Sequence, residues 1–573
     1  MFTRMLFITI ALGLATTVAG APLPSGNKNG DAPAFSAQVR SIDDLLPTIK
    51  TAARNVLPPF LYAEFEREAL SKLDPNMLPG VDVKRPWAAY GRFGLGLLEN
   101  RFDDSSLIVL VPISDEKKFL DFLNGLDLKL DKTGELYTFP IPDAPVSGSL
   151  RFYKEYAYIG VDPDKLDTRK LLHPADVIDS NEKAAGVVRL RIDHVPEKLR
   201  TTILGAFKQG IDRELGRGVP KNAEPFIVDF SRTAERWSRN LFLDGKEIVL
   251  RADLDPHIGS IKLETTFEAV NGTDVARFIK GIKPNTNAMA DLVTADSAAH
   301  AVVSLPFFAE DIRRLVGELL THGSNEVGKE MRANEPKEIV ALKDELFAVL
   351  KKTVDSGLAD GVACLRGPDK KGQYTAVGGV TLKDAGKLEA AFKAALKVAP
   401  NKEAQDRLKV DAFQIGNTNV HEIKTGELLP EEAIKIFGKS SVYFAVTPDA
   451  CYITFGADGK QAISDLLSKK RTPKPMPMAA FDVSGKRLMA MVKTSGEPLE
   501  GTFGELYARF AEIDRIRLLG LEVQGGDKLT LRAEMDLWTM MGGMAVPFRV
   551  GGNAAPPMVI QKKVEIEVKE EKK

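Results

Sequence analysis

The sequence predicts an α+β protein: two tandem modules of antiparallel sheet with helices packed on one face. Three observations predict it. A strand–turn–strand–helix unit can be read four times along the chain. The four copies fall into two halves of the same order, with a hairpin-and-helix insert after the first and third copies. The strands alternate apolar and polar residues, which leaves one sheet face open to solvent or to a partner. Hairpins feeding helices build antiparallel sheets, because parallel strands need a crossover between each pair.

The first copy begins with helical periodicity over residues 42–56 and 60–73 and lacks an opening strand. Strands follow at 87–93 and 107–113, and Ser114-Asp-Glu supplies cap chemistry for a helix through Phe119, Phe122 and Leu123. In the second copy a strand at 186–190 leads into helices between Val195 and Trp237. Strands at 247–254 and 260–269 then flank the turn Asp255-Pro-His-Ile-Gly259. Asn271-Gly-Thr-Asp274 caps a helix whose Val275, Phe278, Ile279 and Ile282 are spaced at three and four. The third copy repeats this path with a strand at 301–305, helices between Phe308 and Val354, and a hairpin at 361–382. A helix after Asp384 closes it. The fourth keeps a strand at 479–483 and a hairpin at 516–535, and is shortened at its end. The inserts, 151–160 and 442–455, are hairpins followed by a short helix. The modules thus run 38–285 and 295–540, joined through Lys283-Pro-Asn-Thr-Asn287. A tail over 541–573 follows, alternating like an edge strand in its middle.

Residues 1–21 read as a secretory signal peptide. Met1-Phe-Thr-Arg4 is a short basic start, and an apolar run follows to Gly20. Cleavage fits after Ala19 or after Ala21, although Pro22 disfavours the second. Residues 22–37 follow as a flexible segment. No cysteine precedes Cys364, so the cleavage region has no lipid acceptor. The expected address is the periplasm or cell exterior of a bacterium, with no spanning segment once the signal is removed. Apolar content of 44% and charged content of 27% are ordinary for globular domains. The net charge of −1 gives no global electrostatic case for nucleic acid.

Asp253-Leu-Asp255-Pro-His257 gathers two carboxylates and an imidazole, a donor set for a metal. Its counterparts Arg366-Gly-Pro-Asp369 and Gln524-Gly-Gly-Asp527 share turn residues rather than ligands, so it reads as a turn. Ser114-Asp-Glu-Lys117 matches the Ser-x-x-Lys pattern of serine acyltransferases. Thr273 and Asp384 hold the same place in other copies, so it reads as a helix cap. His173, His194, His257, His300, His322 and His421 show no helical ligand spacing. No nucleophile elbow, Walker loop or dinucleotide fingerprint is present. No catalytic residue, metal or cofactor is therefore expected.

Cys364 and Cys451 both fall on strands of the second module. In an oxidising compartment they could pair as a disulfide, or stay as two buried apolar cysteines. Tyr153, Tyr156, Tyr158, Tyr443 and Tyr452 make the insert hairpins aromatic in both halves. That pattern fits a ligand platform or plain cross-strand pairing. The late methionines, among them Met476, Met478, Met489, Met491, Met535, Met540 and Met541, could offer thioethers to Cu(I). Core packing accounts for Met478, Met489 and Met535. Asn271-Gly-Thr273 is also a formal glycosylation acceptor.

With its export signal and duplicated hairpin–helix order, the chain resembles uncharacterised exported bacterial proteins built from such modules. The resemblance implies no catalytic residue. The function expected is a non-enzymatic binding or scaffold protein of the periplasm or cell envelope, its partner a protein or an apolar ligand. A lipid or apolar-ligand carrier is one alternative, and a hydrolase with a site assembled from distant residues is another.

Overall fold

The computed structural model describes residues 32–536 except 58, 100–103, 127, 142–146, 217–223, 257–258, 308, 332–334, 399–405, 426–428 and 496–510. Twenty strands form one sheet. The first half supplies β1 (Phe35–Val39), β2 (Trp87–Arg92), β3 (Ser106–Pro112), β4 (Asp131–Thr133), β5 (Leu136–Pro140), β6 (Ser147–Tyr153), β7 (Tyr156–Gly160), β8 (Gly186–Arg191), β9 (Gly245–Asp255) and β10 (Ser260–Ala269). The second supplies β11 (Ser297–Pro306), β12 (Leu358–Arg366), β13 (Thr375–Thr381), β14 (Leu408–Ile415), β15 (Thr418–Lys424), β16 (Ser441–Thr447), β17 (Ala450–Gly456), β18 (Ala479–Val483), β19 (Ile516–Gln524) and β20 (Leu529–Asp536).

Every pairing in the sheet is antiparallel. From one edge the order is β4-β5-β6-β7-β3-β2-β1-β8-β9-β10. β10 then pairs with β20, and the order returns as β19-β18-β11-β12-β13-β17-β16-β15-β14. The second ten strands pair in the same order as the first ten. Registers correspond as well: the row Tyr158–Leu110–Ala88–Gln38–Val187 has its counterpart in Tyr452–Gly379–Val362–Val302–Ala480.

The opening strand missing from the first copy is β1, and Phe35–Ala37 therefore lies in the sheet rather than in a flexible segment. Its five residues alternate too briefly to stand out from the polar stretch before them. The hairpins β4–β5 and β14–β15 at the two sheet edges also went unread. Edge strands face water on several sides and carry a weak apolar pattern; all of Asp131–Thr133 is exposed.

The helices are α1 (Ile42–Val56), α2 (Pro59–Glu68), α3 (Glu116–Gly125), α4 (Pro174–Val177), α5 (Glu197–Gly216), α6 (Glu224–Asp244), α7 (Asp274–Gly281), α8 (Glu310–Glu330), α9 (Lys337–Asp355), α10 (Gly386–Val398), α11 (Glu431–Phe437), α12 (Gly459–Ser468) and α13 (Gly485–Ser495). Caps explain two of the motifs. Asp115 accepts from the Lys118 N–H at the start of α3, and Thr273 accepts from the Ala276 N–H at the start of α7.

Side chains alternate between two sheet faces. One is the helical face. In the first half Trp87, Ala89, Val109 and Val111 pack there against Phe119 and Leu123 of α3. Phe267 and Ala269 meet Val275 and Ile279 of α7. In the second half Val349 of α9 and Leu388 of α10 cover one end, against Leu382, Val446 and Cys451. Leu488 of α13 covers the other, against Phe481, Val483 and Leu518. The opposite face has a narrower cover. Leu166 and Val177 lie over Tyr90, Leu110 and Tyr158, while Met289, Leu292 and Ala462 of α12 lie over Val302, Val362, Tyr452 and Ala480. Ion pairs from Arg236 to Asp311, at 2.7 Å, and from Arg314 to Asp229 tie α6 to α8 across the halves. No helix among the described residues is long and apolar enough to cross a membrane.

Candidate functional site

Register places two rows of apolar side chains on the helical face of the second half. One row is Met535–Leu519–Phe481–Ala301–Ala363–Gly378–Ile453, crossing β20, β19, β18, β11, β12, β13 and β17. The next is Leu263–Ala533–Leu521–Ala479–Val303–Gly361–Val380, starting on β10. Among the described residues, helix side chains pack on this face at the two ends of these strands, around Val349 and Leu388 and around Leu488. Leu263, Val303, Leu305, Val380, Ile453, Leu519, Leu531 and Met535 are left between 36% and 51% exposed. The middle of the floor is built from small residues, so larger side chains flank a shallow trough. Gly378 is one of them because a Cβ there would come within 3.0 Å of Ile453 Cγ2. Eight strands at the usual spacing make a floor about 34 Å wide.

The first half closes the same place. Ala37, Ala89 and Val109, the counterparts of Ala301, Ala363 and Gly378, are at most 5% exposed. Leu78, Val81 and α3 cover Ala89 and Val109. Gly80, at φ 81°, lets that segment approach so closely that a Cβ would sit 2.3 Å from the Phe119 nitrogen. Residues 69–86 separate α2 from β2, whereas only Ser356 and Gly357 separate α9 from β12.

On the opposite face the relation is reversed. Met289 and Leu292, both buried, plug the second half against Val302, Val362 and Ala480. Gly379 makes room for them: its Cβ would meet Leu292 Cδ2 at 3.0 Å and Met289 Sδ at 3.2 Å. In the first half a cleft of about 690 Å³ opens at this place, lined by Ser36, Gln38, Val177, Asp179, Val187 and Arg189 among others. Between the halves the same face carries charge. The row Arg251–Glu264–Arg532–Glu522 runs across β9, β10, β20 and β19 beside the row Asp253–Lys262–Glu534. Arg532 Nε donates to Glu264 Oε2 at 2.8 Å and Arg251 Nη1 to Glu264 Oε1 at 3.3 Å. Alternating signs in cross-strand register join the halves, each pair contributing about 0.2–1 kcal/mol.

Two polar clusters stand apart from these surfaces. His421, fully buried, faces Glu389 and Asp411, and these three are donors that could hold a cation. Lys393 already fills that role: its Nζ lies 2.6 Å from Glu389 Oε1 and 2.6 Å from Asp411 Oδ1. The Asp411 N–H donates to His421 Nδ1 at 3.2 Å, which puts the imidazole proton on Nε2, 3.4 Å from Glu389 and outside hydrogen-bond geometry. A metal at Nε2 would have to displace that proton. Burial pushes the His421 imidazole below its ordinary pKa. Burial alone would raise the Glu389 carboxyl, but Lys393 and Asn419 hold it below the usual range. Sequence spacing gave no sign of this cluster, because its members come from α10, β14 and β15.

The second cluster centres on Asp482, 1% exposed. Arg515 Nε donates to it at 2.8 Å and Arg517 Nε at 2.9 Å, with His300 Nε2 3.5 Å away. Burial would raise this carboxyl too, yet the two guanidiniums keep it below its ordinary value. In both clusters the anions are met by cations of the same chain.

The residues picked out by sequence are not brought together. Tyr156, Tyr158 and Tyr452 are buried, so the five tyrosines form no exposed platform. Tyr158 donates to the Leu172 carbonyl at 2.7 Å and meets Tyr153 edge-on at 5.8 Å; Tyr443 lies near Glu422 in the other half. Cross-strand packing is what these tyrosines do. Cys364 and Cys451 are both free. Cys364 shares a face with Val377 and Thr454, and Cys451, three residues before Thr454, points to the other face. The two sit on β12 and β17 with β13 between them, beyond disulfide reach. Burial pushes both thiols up. Met489 is a core residue, whereas Met535 belongs to the open floor. Met540 and Met541 lie outside the described residues, as do His257 and the signal and tail segments. Asp253 and Asp255 are engaged by Arg40 and Lys262.

No protein-family profile matches the chain, and no curated protein or solved structure matches it either.

Proposed function

We propose that the chain is a non-enzymatic binding protein of the bacterial periplasm or cell envelope that holds an apolar, acyl-chain-like ligand on the open floor of its second half. The observation that carries this reading is the row of exposed Leu, Val, Ile and Met side chains on adjacent strands, with small residues between them. Exposed apolar surface that continues across neighbouring strands marks binding sites. Apart from Phe481 the floor is aliphatic, whereas protein-binding hot spots favour Trp, Tyr and Arg. That composition favours hydrocarbon. The internal neutralisation of the two buried polar clusters supports a binding rather than a catalytic role. The basic start and apolar run at the N-terminus support export.

A fluorescence titration with dansyl-undecanoate tests the reading. Saturable binding is expected to weaken at least tenfold in an Ile453→Glu, Leu519→Glu variant. The positions are exposed, so each change should alter stability by no more than about 0.5 kcal/mol. Absence of saturable binding, or equal binding by the variant, would reject the reading.

The width of the floor supports a second reading, a scaffold that docks an apolar protein surface. Sedimentation of the native protein decides between the two. Under the second reading the wild type travels in a complex and the double variant travels alone.

A further inference from the structure

The open floor begins where the described chain leaves the sheet. Met535, the penultimate residue of β20, is the first side chain of the row that runs to Ile453. Beyond the described residues the sequence continues Leu537-Trp-Thr-Met-Met-Gly-Gly-Met-Ala-Val-Pro-Phe548, without a single charge before Arg549. Met540, Met541 and Met544, three of the late methionines, belong to this run.

The rest of the fold shows where the chain goes after such a strand. β3, β10, β13 and β20 are the second strands of the hairpins β2–β3, β9–β10, β12–β13 and β19–β20. After the first three, the chain turns onto the helical face. α3 packs against Ala89 and Val109, α7 against Phe267 and Ala269, and α10 brings Leu388 against Leu382. After β20 the same path leads onto the floor. α7, the helix after β10, carries Asp274, Arg277 and Lys280, side chains that suit a water-facing side. The run after β20 has no such residues. Gly542-Gly543 and Pro547 also disfavour a continuous helix there. In extended form Leu537–Phe548 reaches about 40 Å, enough to cross a floor about 34 Å wide. Methionine is unbranched and adapts to uneven apolar surfaces such as this trough.

We propose that Leu537–Phe548 lies along the trough as an internal cover, from Met535 towards Ile453, and that an apolar ligand binds by displacing it. The displacement rests on the floor being the apolar binding surface proposed above; the cover does not. Tethered at β20, the segment meets the floor at high effective concentration. It shields a contiguous apolar surface that would otherwise face water or another copy.

Site-specific photocross-linking in the full chain tests the proposal. With p-benzoylphenylalanine in place of Phe548, irradiation should join the segment to peptides of β13 or β17, on the far side of the floor from β20. The Ile453→Glu, Leu519→Glu changes should lower that yield about threefold or more, as should saturating dansyl-undecanoate. Cross-links confined to other parts of the chain, or a yield unchanged by the two floor substitutions, would overturn the cover and leave the apolar-ligand reading standing. A yield unchanged while the probe binds saturably would overturn the displacement. If the probe does not bind at all, the apolar-ligand reading fails, and cross-links to β13 or β17 still uphold the cover.

Discussion

In the first half Ala89 and Val109 lie buried under Leu78, Val81 and α3; in the second, their counterparts Ala363 and Gly378 belong to an open floor. On the other face the first half has a polar cleft where the second is plugged by Met289 and Leu292. Strand order and register are the same in both. Which face is closed depends on the connecting segments: residues 69–86 cover one half, and residues 286–293 cover the other from the opposite side. A sheet of this kind can therefore leave different surfaces open in its two halves with the same strand order.

The largest expected effect comes from the pair of positions that invert charge between the halves, Asp482 and Arg189. Asp482→Asn leaves Arg515 and Arg517 facing a neutral amide at a buried site and should cost about 3–5 kcal/mol in urea unfolding at neutral pH. The wild-type carboxyl is held below its ordinary value. Its contribution is therefore present above the unfolded value of about 3.9 and is lost as pH falls through the lower folded value. The variant should lack that acid limb. An unchanged acid limb would show that the cluster does not set it.

Removing the plug comes next. Met289→Ala and Leu292→Ala should each cost about 2–5 kcal/mol, since both side chains are buried against the sheet. A cost below about 1 kcal/mol for either would show that the second half collapses around the gap and that these side chains do not hold this face closed.

Glu247, on β9 beside the junction, gives a smaller effect of opposite sign. Burial pushes its carboxyl up to about 7. The folded state favours the neutral acid, so stability should fall as pH rises from about 4.5 towards 7. Glu247→Gln should remove that fall and stabilise the protein by about 1–2 kcal/mol at pH 8, allowing for solvent screening. Thermal melting at pH 5 and pH 8 checks it. The smallest effect is Tyr158→Phe, which deletes the bond to the Leu172 carbonyl and should cost about 1 kcal/mol.

Much of the scaffold was legible in the residues. The hairpins β9–β10, β12–β13 and β19–β20 alternate cleanly, and the cap reading of Ser114–Lys117 follows from laying the copies side by side, with Asp115 as the capping residue. β1 was not legible, because its pairing partners β2 and β8 define it more than its own five residues do. The floor was legible only as an expected open face. Its position depended on which connections are long, and residues 69–86 resemble an ordinary loop until they are seen covering Ala89. The tyrosines misled because aromatic alternation looks the same whether the strand faces solvent or a core.

The sequence by itself determined the local elements: strand alternation, helix caps and turns. Periodicity and capping act within a few residues, so they are written where they operate. Tertiary structure decided the rest. It joined the halves through β10 and β20, put Cys364 and Cys451 on opposite faces, and gathered Glu389, Lys393, Asp411 and His421 into one cluster. Among the described residues it also left part of one face of each half uncovered, because burial depends on what packs across the sheet, and that partner is distant in the chain.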